Sequence, residues 1–531
     1  MHITRRFLPL WLLGAMALSG APRPKLVLAI AIDQFRYDYL TRFRSEYTAG
    51  LDRLLKRGAV FTNAFYDHFP TVTAIGHATF LTGATPSLSG IVGNEWYDRG
   101  TGKQVTSVSD ETVRLLGGRD EPGYSPRRLL VSTLGDEMKM AGGGRPRVIS
   151  VSLKERSAVL PAGHMADGAY WFDVQTGNFV SSTFYFPDLP AWVKQINDRR
   201  PAGRHLGAEW KSLDGARVFR KLAGTADAAF HRSLDATPFG NDMVEEFAER
   251  AIEAEQLGQD GDTDLLAVSF SANDYLGHEV GPDAPEVRDI SVRTDRLLEK
   301  FFQFVEARIG LANVLVVLTA DHGVAPLPEV QQERRMPGGR LSQPALHQAI
   351  EAALSRKYGE GKWIAGVSGP TPYLNRDLAR QNGLNEAEVR ETAAAAVSEM
   401  PHIARVYTRD QLLGGEVGGD PLGRRVLNGF YPQRAGDLFI LTEPYWFFGA
   451  RGATHGSPYS YDTHVPVIFM GPGVKPGRYH RAIRPNDIAP TLAALVEVET
   501  PSGSVGRVLE EMVALDGAPA FKVEKKARRS R

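Results

Sequence analysis

Short apolar runs of strand length recur along this chain, rich in Val, Ile and Leu and free of charge: 26–32, 148–153, 265–270, 314–318, 438–441 and 465–470. A strand with one face in water alternates apolar with polar residues. Continuous runs therefore point to strands buried on both faces, as in a parallel sheet covered by helices. Helical periodicities lie between them. In 286–307, Val287, Ile290, Leu297, Leu298, Phe301 and Val305 recur at three- and four-residue steps, while Arg288, Asp289, Arg293, Glu299 and Lys300 fall elsewhere. That pattern is an amphipathic helix laid on a sheet. Further helices are expected at 51–57, 243–255 and 488–496. The alternation predicts an α/β fold, a central mostly parallel sheet flanked by helices.

Two stretches break the rhythm. Residues 155–261 are rich in aromatics, glycine and proline, and 327–435 hold separate helices and loops. Both read as inserted cap or lid segments, of the kind that select substrate over the active edge of an α/β sheet. Lys+Arg and Asp+Glu stand at 62 each, so no global field draws the chain to nucleic acid, and none is expected as an obligate partner. Cysteine is absent, which excludes disulfides, thiolate metal sites and a cysteine nucleophile.

The N-terminus pairs Arg5 and Arg6 with the apolar run FLPLWLLGAMAL and then Ser19, Gly20 and Ala21. This order predicts a signal peptide over 1–21 and a periplasmic or secreted protein. The run is shorter than the roughly 20 residues of a spanning helix, so no transmembrane anchor is expected. A catalytic domain over 22–515 and a basic tail over 516–531 complete the expected organisation.

Acidic and histidine residues follow several of the predicted strands. Asp33 closes LVLAIAID, Asp274 and His278 follow LLAVSFSAN, Asp321 and His322 follow VLVVLTA, and His455 and His464 precede VPVIFM. Open α/β sheets bind ligands at the carboxyl edge of their strands, so these residues can converge there. Oxygen and nitrogen donors without sulfur suit zinc, and also manganese or iron. Asp274 and His278 share one face if their segment is helical. Asp321 and His322 are neighbours and can serve one ion only in a turn, which Gly323 permits. Each residue also has a bland role, as a helix cap, turn residue or hydrogen-bonded histidine.

Thr71 and Thr73 precede a plausible helix in FPTVTAIGHATFLTG, where backbone N–H groups and the helix dipole favour a phosphoryl group. Thr73 equally suits a simple cap. Lys154 and Arg156 lie just beyond a strand; in a cleft they would bind the non-bridging oxygens of a phosphate dianion, and otherwise they form a solvated loop.

Across 32–486, the blocks AIDQFRYDYL, TVTAIGHATFLTG, GIVGNEWYD, VSLKERSAVLPAGH, SFSANDYLGHEVGP, TADHG and THGSPYSYDTHVPVIFMG resemble, in order, the alkaline phosphatase superfamily. The likeness is to its exported zinc phosphatases of the phosphate-irrepressible, threonine-nucleophile type. It implies two Zn²⁺ per chain, small-molecule phosphate monoesters as substrates and a phosphothreonine intermediate. It implies that Thr73 is both nucleophile and zinc ligand, with Asp33, Asp321 and His322 completing that zinc site. Asp274, His278 and His455 would hold the second ion, and Asn94, Lys154 and Arg156 would bind phosphate. His464 competes with His455 for one role, and the following Gly456 favours His455. The rival readings are a phosphodiesterase or nucleotide pyrophosphatase on the same scaffold, and a non-catalytic zinc-binding envelope protein. A sulfatase is disfavoured, because the chain offers neither cysteine nor Ser-x-Pro-x-Arg for its nucleophile.

Overall fold

Strand Leu26–Ile32 is buried at every residue and pairs in parallel on both sides, with Asp264–Phe270 and Val314–Thr319. Its side chains alternate between two cores, as the pleat requires. Leu28, Ile30 and Ile32 pack with Val244 and Phe247 of helix Pro238–Ala254 and with Phe301 and Val305 of helix Pro285–Arg308. Val27, Ala29 and Ala31 face Phe80 and Leu81 of helix Thr73–Thr82, Leu134, and Leu492 of helix Ile488–Val496. Each fully buried Leu, Ile or Phe in these layers contributes about 1.5–3 kcal/mol, so the helix–sheet–helix sandwich is the state that hides an all-apolar strand.

The computed structural model describes residues 23–514. Its main sheet has 11 strands. At the centre, Val314–Thr319, Leu26–Ile32, Asp264–Phe270, Val148–Ser152 and Gly168–Asp173 lie side by side and parallel. Their carboxyl ends therefore share one edge. Val467–Met470 and Asn178–Ser182 join the flanks antiparallel.

Two expectations need adjustment. The apolar run 438–441 lies outside the central sheet: strand Leu438–Thr442 pairs antiparallel with Ile403–Thr408. Its burial comes from a separate core, in which Leu438 and Ile440 meet Leu346, Ile350 and Leu354 of helix Gln343–Tyr358 and Val389 and Val397 of helix Glu386–Ser398. Much of 327–435 thus forms its own small packed layer. Residues 155–261, by contrast, begin as scaffold, because Gly168–Asp173 and Asn178–Ser182 extend the main sheet. Among the described residues no helix is long and apolar enough to cross a membrane. The expected signal peptide over 1–21 and the tail over 516–531 lie outside the described residues.

Candidate functional site

The shared strand edge brings the acidic and histidine residues together. Asp33 directly follows Leu26–Ile32, and its main-chain N–H donates to Phe270 O at 3.0 Å, which ties two strand ends to each other. Asp274 and His278 sit in helix Ala272–Val280, on the one face that their spacing predicts, with His278 Nε2 3.3 Å from Asp274 Oδ1. Asp321 and His322 follow Val314–Thr319 and bring their side chains together, His322 Nε2 lying 3.2 Å from Asp321 Oδ2. Gly323 matters here for a reason other than the expected freedom of φ. A Cβ at Gly323 would lie 2.1 Å from Tyr461 O, so the close approach of that chain demands glycine.

The donors form two overlapping sets. Asp33, Asp321 and His322 offer atoms within 4.8 Å of one another, as do Asp274, His322 and His455. His278 closes the second set, with Nε2 3.2 Å from His455 Nε2. Each imidazole donates its Nδ1–H to a backbone carbonyl: His322 to Gly323 at 2.9 Å, His278 to Ala453 at 2.8 Å, and His455 to Thr71 at 2.8 Å. That fixes the tautomer and leaves every Nε2 lone pair facing the cluster, the arrangement usual for metal-ligating histidine. Burial holds His322 and His455 below the ordinary histidine range, and for His455 the neighbouring imidazoles add to it. Both are thereby biased toward the neutral form that can ligate a metal. Burial also lowers His278, but the Asp274 carboxylate outweighs it and raises the net value.

Charge explains why such a cluster calls for cations. Asp33, Asp274 and Asp321 are all buried. Burial, with the charges of Asp274 and Asp321, pushes Asp33 well above the carboxylate range. Burial acts the same way on the other two, yet Lys154 and His278 hold Asp274 low, and His322 and His77 hold Asp321 low. Asp33 Oδ1 and Asp321 Oδ2 are buried with no hydrogen-bond partner. Orphaned carboxylate oxygens opposite aligned Nε2 atoms fit a divalent ion held by oxygen and nitrogen.

Thr73 opens helix Thr73–Thr82, and its Oγ1 lies 3.3 Å from His322 Nε2. The helix N-terminus thus faces the same cluster. Asn94 Oδ1 accepts the Ala74 N–H at 2.8 Å, leaving the amide N–H groups as donors. Gly76 allows the helix to come this close, since a Cβ there would lie 2.2 Å from Asp321 O. Arg156 is half-buried beside Glu155, 3.1 Å from its Oε1, and lines a cavity together with Asn94 and His455. Lys154 is placed differently from the cleft-facing cation expected. Its Nζ lies 2.6 Å from Asp33 Oδ2 and 2.5 Å from Asp274 Oδ2, and 4.9 Å from the Tyr275 ring centroid. A buried ammonium needs counter-charge, and these carboxylates supply it. They raise its pKa in spite of the burial.

His464 stands apart. It stacks between Tyr37 and Phe65, with centroids 4.3 and 4.2 Å away, and its Nε2 donates to Thr62 O. Two supporting residues were missed in the sequence reading. Gln34 donates its main-chain N–H to Asp321 Oδ1 at 3.0 Å and its side-chain Nε2 to Asp274 Oδ1 at 2.6 Å, spanning both sets from a left-handed backbone with φ 62°. His77 lies 2.9 Å from Thr73 O, 2.8 Å from Ser269 Oγ and 3.3 Å from Asp321 Oδ2. The available signal was position: Gln34 adjoins Asp33, and His77 is one helical turn beyond Thr73.

Residues 27–464 match the family described as type I phosphodiesterase / nucleotide pyrophosphatase. Alkaline phosphatase PafA of Elizabethkingia meningoseptica is 35% identical, over 95% of this chain and 98% of that protein. Alkaline phosphatase PhoV of Synechococcus elongatus is 35% identical, over 92% and 93%. The crystal structure of wild-type PafA superposes with a TM-score of 0.87 at 34% identity, covering 93% of this chain and 100% of that one. A crystallised PafA variant, altered at a threonine, an asparagine, a lysine and an arginine, superposes at 0.86. The chain therefore belongs to the type I phosphodiesterase / nucleotide pyrophosphatase family of the alkaline phosphatase superfamily, and it is a phosphatase of that superfamily.

Proposed function

We propose that this chain is an exported, zinc-dependent alkaline phosphatase that hydrolyses phosphate monoesters through a phosphothreonine at Thr73. The observation that carries the reading is Thr73 Oγ1 at a helix N-terminus, 3.3 Å from His322 Nε2, where two overlapping donor sets meet. Asp33, Asp321 and His322, with Thr73, would hold one ion; Asp274, His278 and His455 would hold the other. Zinc held there supplies Lewis-acid stabilisation of charge and acidifies a hydroxyl within its reach.

The remaining work falls to the chain. Thr73 Oγ gives up its proton and attacks phosphorus in line. The bond from phosphorus to the alcohol oxygen breaks, and the alcohol departs protonated. Water then attacks the phosphothreonine, releasing inorganic phosphate and restoring the hydroxyl. Arg156 and Asn94 bind the non-bridging oxygens, Lys154 contributes positive charge from beneath, and the helix N-terminus favours the dianion throughout. The substituted residue types of the PafA variant are, in order, those standing here at Thr73, Asn94, Lys154 and Arg156.

Export rests on the composition of 1–21, which would leave 22–515 as the catalytic domain, with cap segments near 155–261 and 327–435 and a basic tail over 516–531. The diesterase reading draws on the family description and on the apolar surface beside the site. Steady-state kinetics of zinc-loaded wild type and Thr73→Ala on paired mono- and diesters test the proposal. Wild type should favour the monoester, and Thr73→Ala should lose at least about 10³-fold of that rate, as expected for loss of a nucleophile. Undiminished turnover in the variant would eliminate the covalent route, and bound zinc with no turnover at pH 8 to 10 would point to a binding protein.

A further inference from the structure

A cavity of about 600 Å³ opens beside the candidate site, within the size range of small-molecule pockets. Asn94, Arg156 and His455 bound it at the reacting end. Elsewhere aromatic and aliphatic side chains make up most of the wall, interrupted by Thr106, Gln343, Ser368, Thr371 and Ser457. Val72 and Phe69 come from the loop that leads to Thr73, Phe439 and Leu441 from strand Leu438–Thr442, and Trp446 and Phe448 from strand Trp446–Phe448. The aromatic wall is held in place from behind. Trp446 stacks on His402 at 3.4 Å and 8°, and its ring lies over Gly339, where a Cβ would come within 2.2 Å of it. A wall already ordered in the free protein loses little entropy when a ligand arrives.

The charges of the lining are equally selective. Among its described residues Arg156 is the only lysine or arginine, while Glu95, Glu155 and Asp462 bring carboxyl groups. A leaving group with a further phosphate or carboxylate would find no second cation. A polyol laid against Phe69, Phe439, Trp446 and Phe448 would give up water there without gaining polar partners.

We propose that this cavity receives the leaving alcohol, and that the preferred substrates are phosphate monoesters of bulky, uncharged, aromatic or similarly apolar alcohols. The inference rests on the monoesterase reading and names its substrate class. An aryl group buried there gains apolar contact that a methyl group cannot make, and this corresponds to roughly 10- to 100-fold in binding.

The zinc-loaded protein, assayed with p-nitrophenyl phosphate, is inhibited with phenylphosphonate and with methylphosphonate. Phenylphosphonate should bind at least roughly tenfold more tightly. Inhibition constants within twofold of each other would overturn the proposal, and this comparison requires no variant to fold. In Trp446→Ala and Phe448→Ala, the ratio of kcat/KM for 1-naphthyl phosphate to that for glycerol phosphate should fall about tenfold from its wild-type value; comparing the ratio between variant and wild type cancels intrinsic leaving-group reactivity. An unchanged ratio in both variants would also overturn it. Absence of hydrolysis of every monoester would remove the monoesterase reading itself, whereas hydrolysis without apolar preference would remove this inference alone.

Discussion

Replacing Lys154 with methionine keeps most of the side-chain volume and deletes one buried charge. In the wild type that ammonium lies 2.6 Å from Asp33 Oδ2 and 2.5 Å from Asp274 Oδ2, and Lys154 is only 1% exposed. Removing one partner of a buried ion pair costs about 3–5 kcal/mol, because the other partner stays desolvated and uncompensated. Two carboxylates are left here, but Asp33, already raised by burial and its acidic neighbours, can take a proton and limit the loss. We therefore expect Lys154→Met to lose about 3–5 kcal/mol of unfolding free energy at pH 8 in EDTA. Zinc should narrow the difference, since an ion bound to the folded state supplies the missing charge and stabilises by mass action. The loss should also shrink as pH falls, because protonated carboxyls need no counter-ion. Urea denaturation of both proteins, with EDTA and with zinc, measures this directly. Equal midpoints in EDTA, or the same deficit with and without zinc, would refute the assignment of Lys154 as the counter-charge of the donor carboxylates.

Arg156→Ala should reduce monoester turnover by roughly 10²-fold and diester turnover by less, since charge-assisted bonds to the doubly charged group are the ones lost; paired kcat/KM values check it. Gly76→Ala should destabilise the fold by about 2 kcal/mol or more and lower zinc content, because the added methyl would overlap Asp321 O; calorimetry and metal analysis report the two effects. His68 is buried with both ring nitrogens unpartnered, and burial chiefly pulls its pKa from 6.5 to about 4. The unfolded chain thus binds the extra proton between those values. Stability from neutral His68 is full above pH 6.5 and fades as pH falls toward 4, by on the order of 3 kcal/mol in all. His68→Phe should flatten that acid limb in urea titrations run at successive pH values, and an unaltered limb would refute it.

Much of the scaffold is legible in the hydrophobic pattern of the chain. The strand Leu26–Ile32 and the helix Pro285–Arg308 fall where the hydrophobic pattern puts them, because an unbroken apolar run has few soluble fates and a 3.6-residue stripe has one buried face. The same logic misassigned 438–441, since burial on both faces does not say which sheet supplies the neighbours. At the site, Asp274 and His278 could be paired from their helical spacing alone. Asp321 and His322 are neighbours whose joint use needs only a turn, while the groupings across the chain rest on resemblance, because residues as far apart in sequence as Thr73 and His322 carry no local sign of contact.

Residue chemistry and periodicity by themselves determined the α/β layering, the exclusion of sulfur chemistry and the supply of oxygen and nitrogen donors behind buried strands. Tertiary structure alone decided that Lys154 turns to Asp33 and Asp274, that Gln34 and His77 brace the carboxylates, that His464 stacks between Tyr37 and Phe65, and that aromatic side chains wall the cavity beside Arg156. The physical reason is range. Burial preference and helical spacing act within a few residues and can be read along the chain, whereas the partner of a buried charge or a stacked ring is whichever group the fold delivers to within a few ångströms.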